Sequence, residues 1–229
     1  MKLDEVPGTN YKIFQDDNEF KYTSDALILS SFVKSGKKAL DLGCGNGILS
    51  LRICNRFDEV HAVDKNKNVL ESFKKSITFN KLEDKIYLLE ENIFDLKKFF
   101  PTNYFDALIF NPPYYDYENI KFNTIEAKHF FDIEKSLYLV NYLLKNSGSL
   151  YIIYPTYRLA ELIFKINNAG LRVKNIINIH GTINKEAKSS IIIAKKQANY
   201  GNDLIDFYIR DGLDYTDEMK KVYRNEVIL

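Results

Sequence analysis

The sequence predicts an α/β fold: a seven-stranded, mostly parallel sheet with helices on both faces. Three observations carry this. Seven short apolar runs follow one another from Lys38 onward, the early ones separated by longer amphipathic stretches, and strands alternating with helices imply βαβ units. A glycine-rich loop directly follows the first run and opens a helix-like segment. At 229 residues the chain has the length of one α/β domain with a sizeable core.

The elements follow in order. Candidate strands are Lys38–Leu42, Val60–Val63, Lys85–Glu90, Phe105–Phe110, Ser149–Tyr154, Val173–His180 and Ser190–Ala194. Candidate helices are Ile48–Phe57, Asn68–Phe79, Lys135–Lys145 and Tyr157–Asn168. We expect a single domain over 1–229: an N-terminal covering segment at 1–37, a Rossmann-like core at 38–200, and a C-terminal strand and helix at 201–229. In such sheets ligands bind beyond the carboxyl ends of the strands, near the point where strand order reverses.

Composition excludes several classes. No apolar run approaches the ~20 residues that span a bilayer, and Met1 to Tyr11 is too polar for a secretory signal. Cys44 and Cys54 are the only cysteines and carry no metal-ligand spacing, so reduced thiols in a cytoplasmic protein without a metal are expected. Residues 121–200 carry 12 Lys/Arg against 5 Asp/Glu, while the flanking segments are slightly acidic. This stretch is the candidate electropositive face, although solvated lysines on helix surfaces produce the same bias.

The glycine loop is Asp41-Leu42-Gly43-Cys44-Gly45-Asn46-Gly47. Glycines at alternate positions let the backbone turn sharply and approach a ligand without Cβ clashes. The spacing is G-x-G-x-G, and Ile48 stands where the third glycine of the dinucleotide fingerprint belongs, which argues against a nicotinamide oxidoreductase. Asp64 ends the second strand, 17 residues beyond Gly47. An acid there can accept hydrogen bonds from both ribose hydroxyls of an adenosine-containing cofactor. Loop and acid together resemble the S-adenosylmethionine (SAM) motifs of class I methyltransferases.

After the fourth strand comes Asn111-Pro112-Pro113-Tyr114. Two prolines fix φ and remove two N–H donors, so the stretch presents carbonyl acceptors in a rigid arc, and Asn111 adds a side-chain oxygen. An aromatic amine is a poor nucleophile because its lone pair is delocalised into the ring. Accepting its hydrogens at Asn111 and at the Pro112 carbonyl favours a pyramidal nitrogen and stabilises the positive charge that develops there. Tyr114 can stack on the flat target group. The tetrapeptide resembles that of N6-adenine, N4-cytosine, N2-guanine and protein-glutamine methyltransferases, and by itself does not choose among them.

Further stretches resemble the bacterial tRNA1(Val) adenine-37 N6-methyltransferases. They are the segment Phe20 to Leu29 with Asp25 on the matching acid, Ala127-Lys128-His129, and the pair Ile209-Arg210-Asp211 and Tyr215-Thr216-Asp217-Glu218. The resemblance covers nearly the whole chain. It implies SAM as cofactor, held by Lys21, Asp25, Asp41, Gly43, Cys44, Gly45, Gly47, Asp64, Lys65, Asn92, Ile93 and Asn111. It implies Asn111, Pro112 and Tyr114 as the catalytic set, and Pro113, Tyr114, Tyr115, Lys128 and His129 facing the substrate, an adenine in a tRNA anticodon loop. Two positions depart from the pattern: Asn92 stands for the acid that would meet the cofactor adenine, and Lys128 for an arginine, which keeps the charge but loses the planar fork. Tyr115 and Tyr117 are equally readable as loop anchors, and Lys128 and His129 as a solvated pair. A monomer or weak homodimer is expected.

The alternatives are rRNA guanine-N2 methylation, protein-glutamine N5 methylation, DNA adenine methylation and a non-catalytic RNA-binding module that kept the fold. The glutamine enzymes carry an N-terminal helical domain, and only about 37 residues precede the first strand here. The DNA version would need a recognition domain. Intact loop and tetrapeptide argue against a module without catalysis.

Overall fold

The computed structural model describes residues 2–15, 23–112 and 132–229. In chain order these form β1 (Lys2–Glu5), β2 (Lys12–Gln15), α1 (Ser24–Ser31), β3 (Lys38–Leu42), α2 (Ile48–Ile53), β4 (Glu59–Asp64), α3 (Lys67–Asn80), β5 (Ile86–Glu90) and β6 (Phe105–Phe110). They continue with α4 (Ile133–Leu143), β7 (Leu144–Pro155), α5 (Leu159–Asn168), β8 (Leu171–Thr182), β9 (Ala187–Lys196), β10 (Asp203–Asp211), β11 (Asp214–Tyr215) and α6 (Asp217–Tyr223).

The main sheet runs β11-β10-β8-β9-β7-β6-β3-β4-β5. Strands β5, β4, β3, β6 and β7 are mutually parallel, whereas β9 runs antiparallel to both β7 and β8. The expected seven strands are thus corrected to nine among the described residues. The two beyond the seven are β10, parallel to β8 and within the segment 201–229 where a strand and a helix were expected, and the two-residue β11 folded back on it. The chain winds outward from β3 through β4 to β5, then returns to β6 on the other side of β3. The switch point therefore lies between β3 and β6.

Alternation along the strands divides the core. In β6, Ala107 and Ile109 face a cluster with α1, α2, α3 and α6, while Phe105, Leu108 and Phe110 face one with α4 and α5. From Ala107 to Phe110 this is the period-two pattern of a strand covered on both faces; Phe105 breaks the parity because the register with β7 shifts between Phe105 and Ala107. Each fully buried Leu, Ile or Phe contributes roughly 1.5–3 kcal/mol. The fold's central strands are built from such residues: Leu40, Leu42, Leu108 and Phe110 are buried.

Several boundaries differ from expectation for local reasons. Helix α2, expected over Ile48–Phe57, ends at Ile53 and tightens into a 3-10 turn at Cys54–Arg56. Lys145 belongs to β7, not to the preceding helix, because its Nζ pairs with Asp106 Oδ1 at 2.8 Å across from β6. The hairpin of β1 and β2 had no counterpart in the pattern analysis, and neither did α1. Residues Ala26 to Ser31 of α1 are all buried, so no amphipathic stripe marks the helix.

The cations of residues 121–200 do not form one face. Among those described, Lys145, Arg172, Lys195 and Lys196 sit at the amino end of the sheet, as the pairing of Arg172 with Lys195 and Leu171 with Lys196 requires. Lys196 Nζ is consumed there by Asn103 Oδ1 and the carbonyls of Asn141 and Leu144, at 2.6–2.9 Å. No helix among the described residues is long and apolar enough to cross a membrane.

Candidate active site

Leu42 and Phe110 are in-register partners at the carboxyl ends of β3 and β6. The glycine loop and Asn111 therefore leave the sheet side by side at the switch point. On the other flank β4 delivers Asp64, paired with Glu90 of β5. Three motifs far apart in sequence thus meet along one edge.

The loop is shaped by backbone contacts that only these residues permit. Gly43 and Cys44 both donate N–H to the Val63 carbonyl at 2.9 Å, and Gly47 N–H closes onto the Cys44 carbonyl at 2.9 Å. Gly45 N–H donates to Asp64 Oδ2 at 3.0 Å, while Asp64 Oδ1 accepts from Asn66 N–H at 2.9 Å. The acid is thereby held between the loop and the start of α3, whose N-cap is Asn66.

The glycines have two different reasons. Gly43 and Gly45 have φ of +71° and +53°, and a Cβ on either would meet no atom within 4 Å. Gly47, with φ +82°, caps α2, and a Cβ there would lie 2.2 Å from the Phe73 ring of α3. Its need for glycine is close packing against the neighbouring helix.

Asp41, wholly buried on β3, takes the Ser50 N–H at 3.1 Å and the Ser50 hydroxyl at 2.7 Å on the same oxygen, Oδ2. Its Oδ1 has no partner among the described residues. Burial pushes its carboxyl up to about 7 against the Ser50 hydrogen bonds, with the neighbouring Asp64 charge adding to the rise. Cys44 is buried, and burial raises its thiol well above the ordinary range; it is no nucleophile.

The other site residues fall as follows. Asp25 lies in the first turn of α1, where burial raises its carboxyl against a hydrogen bond from the Ser189 side chain. Lys65 is exposed immediately after Asp64. Asn92 is exposed beyond β5 and caps the following 3-10 turn, its Oδ1 accepting from Phe94 N–H at 3.1 Å. One lone pair of that oxygen is left for a ligand. Ile93 turns the other way into the core beneath α4. Asn111 is half-buried and Pro112 buried. Lys21, Pro113, Tyr114, Tyr115, Tyr117, Lys128 and His129 lie outside the described residues.

Ser50, Asn66 and Phe73 were not singled out in the sequence, although they hold Asp41, Asp64 and Gly47. Asn66 ahead of an apolar-periodic stretch is a legible helix start; the other two have no local signal. The C-terminal residues matched to the tRNA enzymes also have structural work. Thr216 caps α6 by accepting from Met219 N–H at 3.1 Å and donates to the Tyr208 carbonyl at 2.6 Å. The Arg210 guanidinium lies over the Tyr215 ring at 4.3 Å.

The residues present fit SAM: open space above two left-handed glycines, a buried Asp41 oxygen, Oδ1, without a partner among the described residues, and a strand-end acid beside them. A sheet in this order, switching between β3 and β6 with the loop at the switch, is the architecture of a class I SAM-dependent methyltransferase. The chain belongs to the methyltransferase small domain family, whose model matches residues 17–161. It is 23% identical over 224 residues to a tRNA1(Val) (adenine(37)-N6)-methyltransferase of Cytophaga hutchinsonii, covering 93% of each chain. It is 25% identical over 228 residues to one of Pedobacter heparinus, covering 94% of each. Among solved structures, a protein of Agrobacterium tumefaciens described as a predicted O-methyltransferase superimposes with a TM-score of 0.73 at 18% identity, covering 90% of this chain and 98% of that one.

Proposed function

We propose that this methyltransferase acts on N6 of an adenine in a tRNA anticodon loop, adenine 37 of tRNA1(Val) or of a related tRNA. The observation that carries the amine chemistry is the pairing of Leu42 with Phe110, which sets Asn111 and Pro112 beside the glycine loop. The adenine and the tRNA rest on the relatives named for that reaction over nearly the full chain.

The open backbone at Gly43 and Gly45 admits the cofactor, with Asp64 on its ribose and Asn92 toward its adenine. Bound there, SAM supplies an electrophilic methyl group. The chain's own part is acceptance and alignment. Asn111 Oδ1 and the Pro112 carbonyl take the two amine hydrogens, which localises the lone pair and stabilises the charge gained on nitrogen. Tyr114 stacks on the base. The methylated nitrogen is cationic and acidic, so its proton passes to water without a dedicated base.

The test is methyl transfer from labelled SAM to tRNA lacking the modification, with rRNA and cell protein in parallel and Asn111→Ala as control. N6-methyladenosine in tRNA, abolished by the substitution, is the expected result. Label in rRNA or protein alone overturns the substrate and keeps the amine chemistry.

A further inference from the structure

From the carboxyl edge at the end of β4 back toward the start of β5, the outer surface of α3 carries a basic stripe. Lys67, Lys74 and Lys75 are exposed, Lys65 precedes the helix, and among the described residues Glu71 is the one acid on that face. Positions 67, 71, 74, 75 and 78 share one side of a helix because neighbours recur at three and four residues. The stripe starts at Asp64. It ends in a groove of about 550 Å³ lined by Phe14, Glu71, Lys74, Lys75, Thr78 and Phe79.

The groove is held by hydrogen bonds between α3 and β2. Asn80 clamps the backbone of Lys12 in both directions, taking its N–H at 2.9 Å and donating to its carbonyl at 2.6 Å. Ser76 Oγ accepts from Phe14 N–H at 2.9 Å. Strand β2 is thus fastened along α3. The Phe14 and Phe79 rings meet edge-on, with centroids 5.8 Å apart, and Phe79 stays 54% exposed. Exposing a large ring in a fastened groove loses hydrophobic stabilisation that burial would give. Cations around flat apolar rings suit single-stranded nucleic acid, where lysines meet phosphates and rings stack on any base. An acidic polypeptide would use the lysines and leave the rings idle.

We infer that this α3 face and the Phe14–Phe79 groove dock the stretch of RNA flanking the target base. The inference rests on the RNA reading above and deepens it. Lys74 and Lys75 lie about 15 Å along the helix from Asp64, at a 1.5 Å rise per residue, and Asp64 is two strand spacings, about 10 Å, from Asn111, so an RNA strand leaving the site runs several nucleotides to reach them. The surface sets affinity and register and takes no part in methyl transfer.

The test uses the full chain and unmodified tRNA transcript, with binding read by fluorescence anisotropy across a salt series. For the double variant Lys74→Glu, Lys75→Glu, we expect weakening of about tenfold or more at low salt, and a salt slope shallower by about 1.5, the loss of two phosphate contacts. Phe79→Ala is expected to weaken tRNA binding about fivefold or more with an unchanged slope. KM for tRNA rises in each, while SAM affinity and kcat stay at wild-type values; Phe79→Ala also gives up the edge-on contact with Phe14 and lowers the melting temperature slightly. Wild-type affinity and slope in the variants overturn the docking surface and leave the RNA reading intact. Lysine effects without any Phe79 effect, matched by binding of polyglutamate, assign the face to an acidic polypeptide and overturn it as well. If the wild type neither binds nor methylates RNA, both readings fall.

Discussion

The backbone N–H of Gly45 donates to Oδ2 of Asp64 at 3.0 Å, so the loop after β3 and the acid after β4 are a single unit. The same carboxylate takes Asn66 N–H on its other oxygen. An acid proposed to hold the ribose therefore also organises the loop proposed to admit the rest of the cofactor.

Asp64→Ala is expected to weaken SAM binding by about 100-fold, since hydrogen bonds to a charged group contribute about 1.5–3 kcal/mol each. Isothermal titration measures it. Asp64→Asn, which keeps one acceptor oxygen, is expected to lose less. Equal affinities for wild type and Asp64→Ala would remove Asp64 from the cofactor site.

The glycines separate by substitution. Gly47→Ala drives a Cβ into Phe73 and forces a side chain into the left-handed region, at a cost of about 2–4 kcal/mol in stability. Phe73→Leu in the same chain should recover part of it, a coupling that a double-mutant cycle in urea resolves. Gly43→Ala and Gly45→Ala meet open space and are expected to cost only about 1–2 kcal/mol each, yet to weaken SAM binding strongly. The opposite ranking would reverse the roles assigned to these positions.

Arg52 ties four segments together from inside. It is 1% exposed, its Nε donates to Ser30 Oγ at 2.6 Å, and its two terminal nitrogens reach the Pro7 and Val222 carbonyls and Ser31 Oγ. Arg52→Leu strands several buried acceptors and is expected to cost about 3 kcal/mol or more, read as a lowered urea midpoint. A neutral effect would show that the guanidinium is dispensable.

Asp41 gives a pH signature with a definite sign. Its carboxyl is raised from 3.8 to about 7 in the fold, so the folded state binds the proton more tightly than the unfolded chain. Its stabilising contribution is full below about 3.8 and is lost as pH rises through 7. Relative to wild type, unliganded Asp41→Asn should therefore gain stability between pH 4 and 7 and level off above. A flat difference across that range, by urea denaturation at each pH, would place the titration elsewhere.

Much of the site was legible because its chemistry is local. Asp41, the alternate glycines, Asp64 and Asn111 each end or follow an apolar run, and a run of five or six such residues between polar flanks marks a covered strand. Strands Lys38–Leu42 and Phe105–Phe110 have the predicted bounds. The cations of 121–200 were legible only as a charge bias, because a count along the chain carries no information about which end of a strand a residue occupies, and Arg172, Lys195 and Lys196 lie at the amino end.

By itself, then, the sequence determined the α/β pattern, the glycine loop after β3 and the Asn111-Pro112 step after β6, since period-two burial, glycine backbone freedom and proline stiffness act over a few residues. Only the tertiary structure decided the rest: nine strands instead of seven, the β1–β2 hairpin fastened to α3, α1 buried on all sides, and the buried hub of Arg52. It also decided that Gly47 answers to Phe73 and Asp41 to Ser50. Those outcomes depend on groups distant in sequence whose meeting is set by packing and by satisfying buried polar atoms, and no local pattern records them.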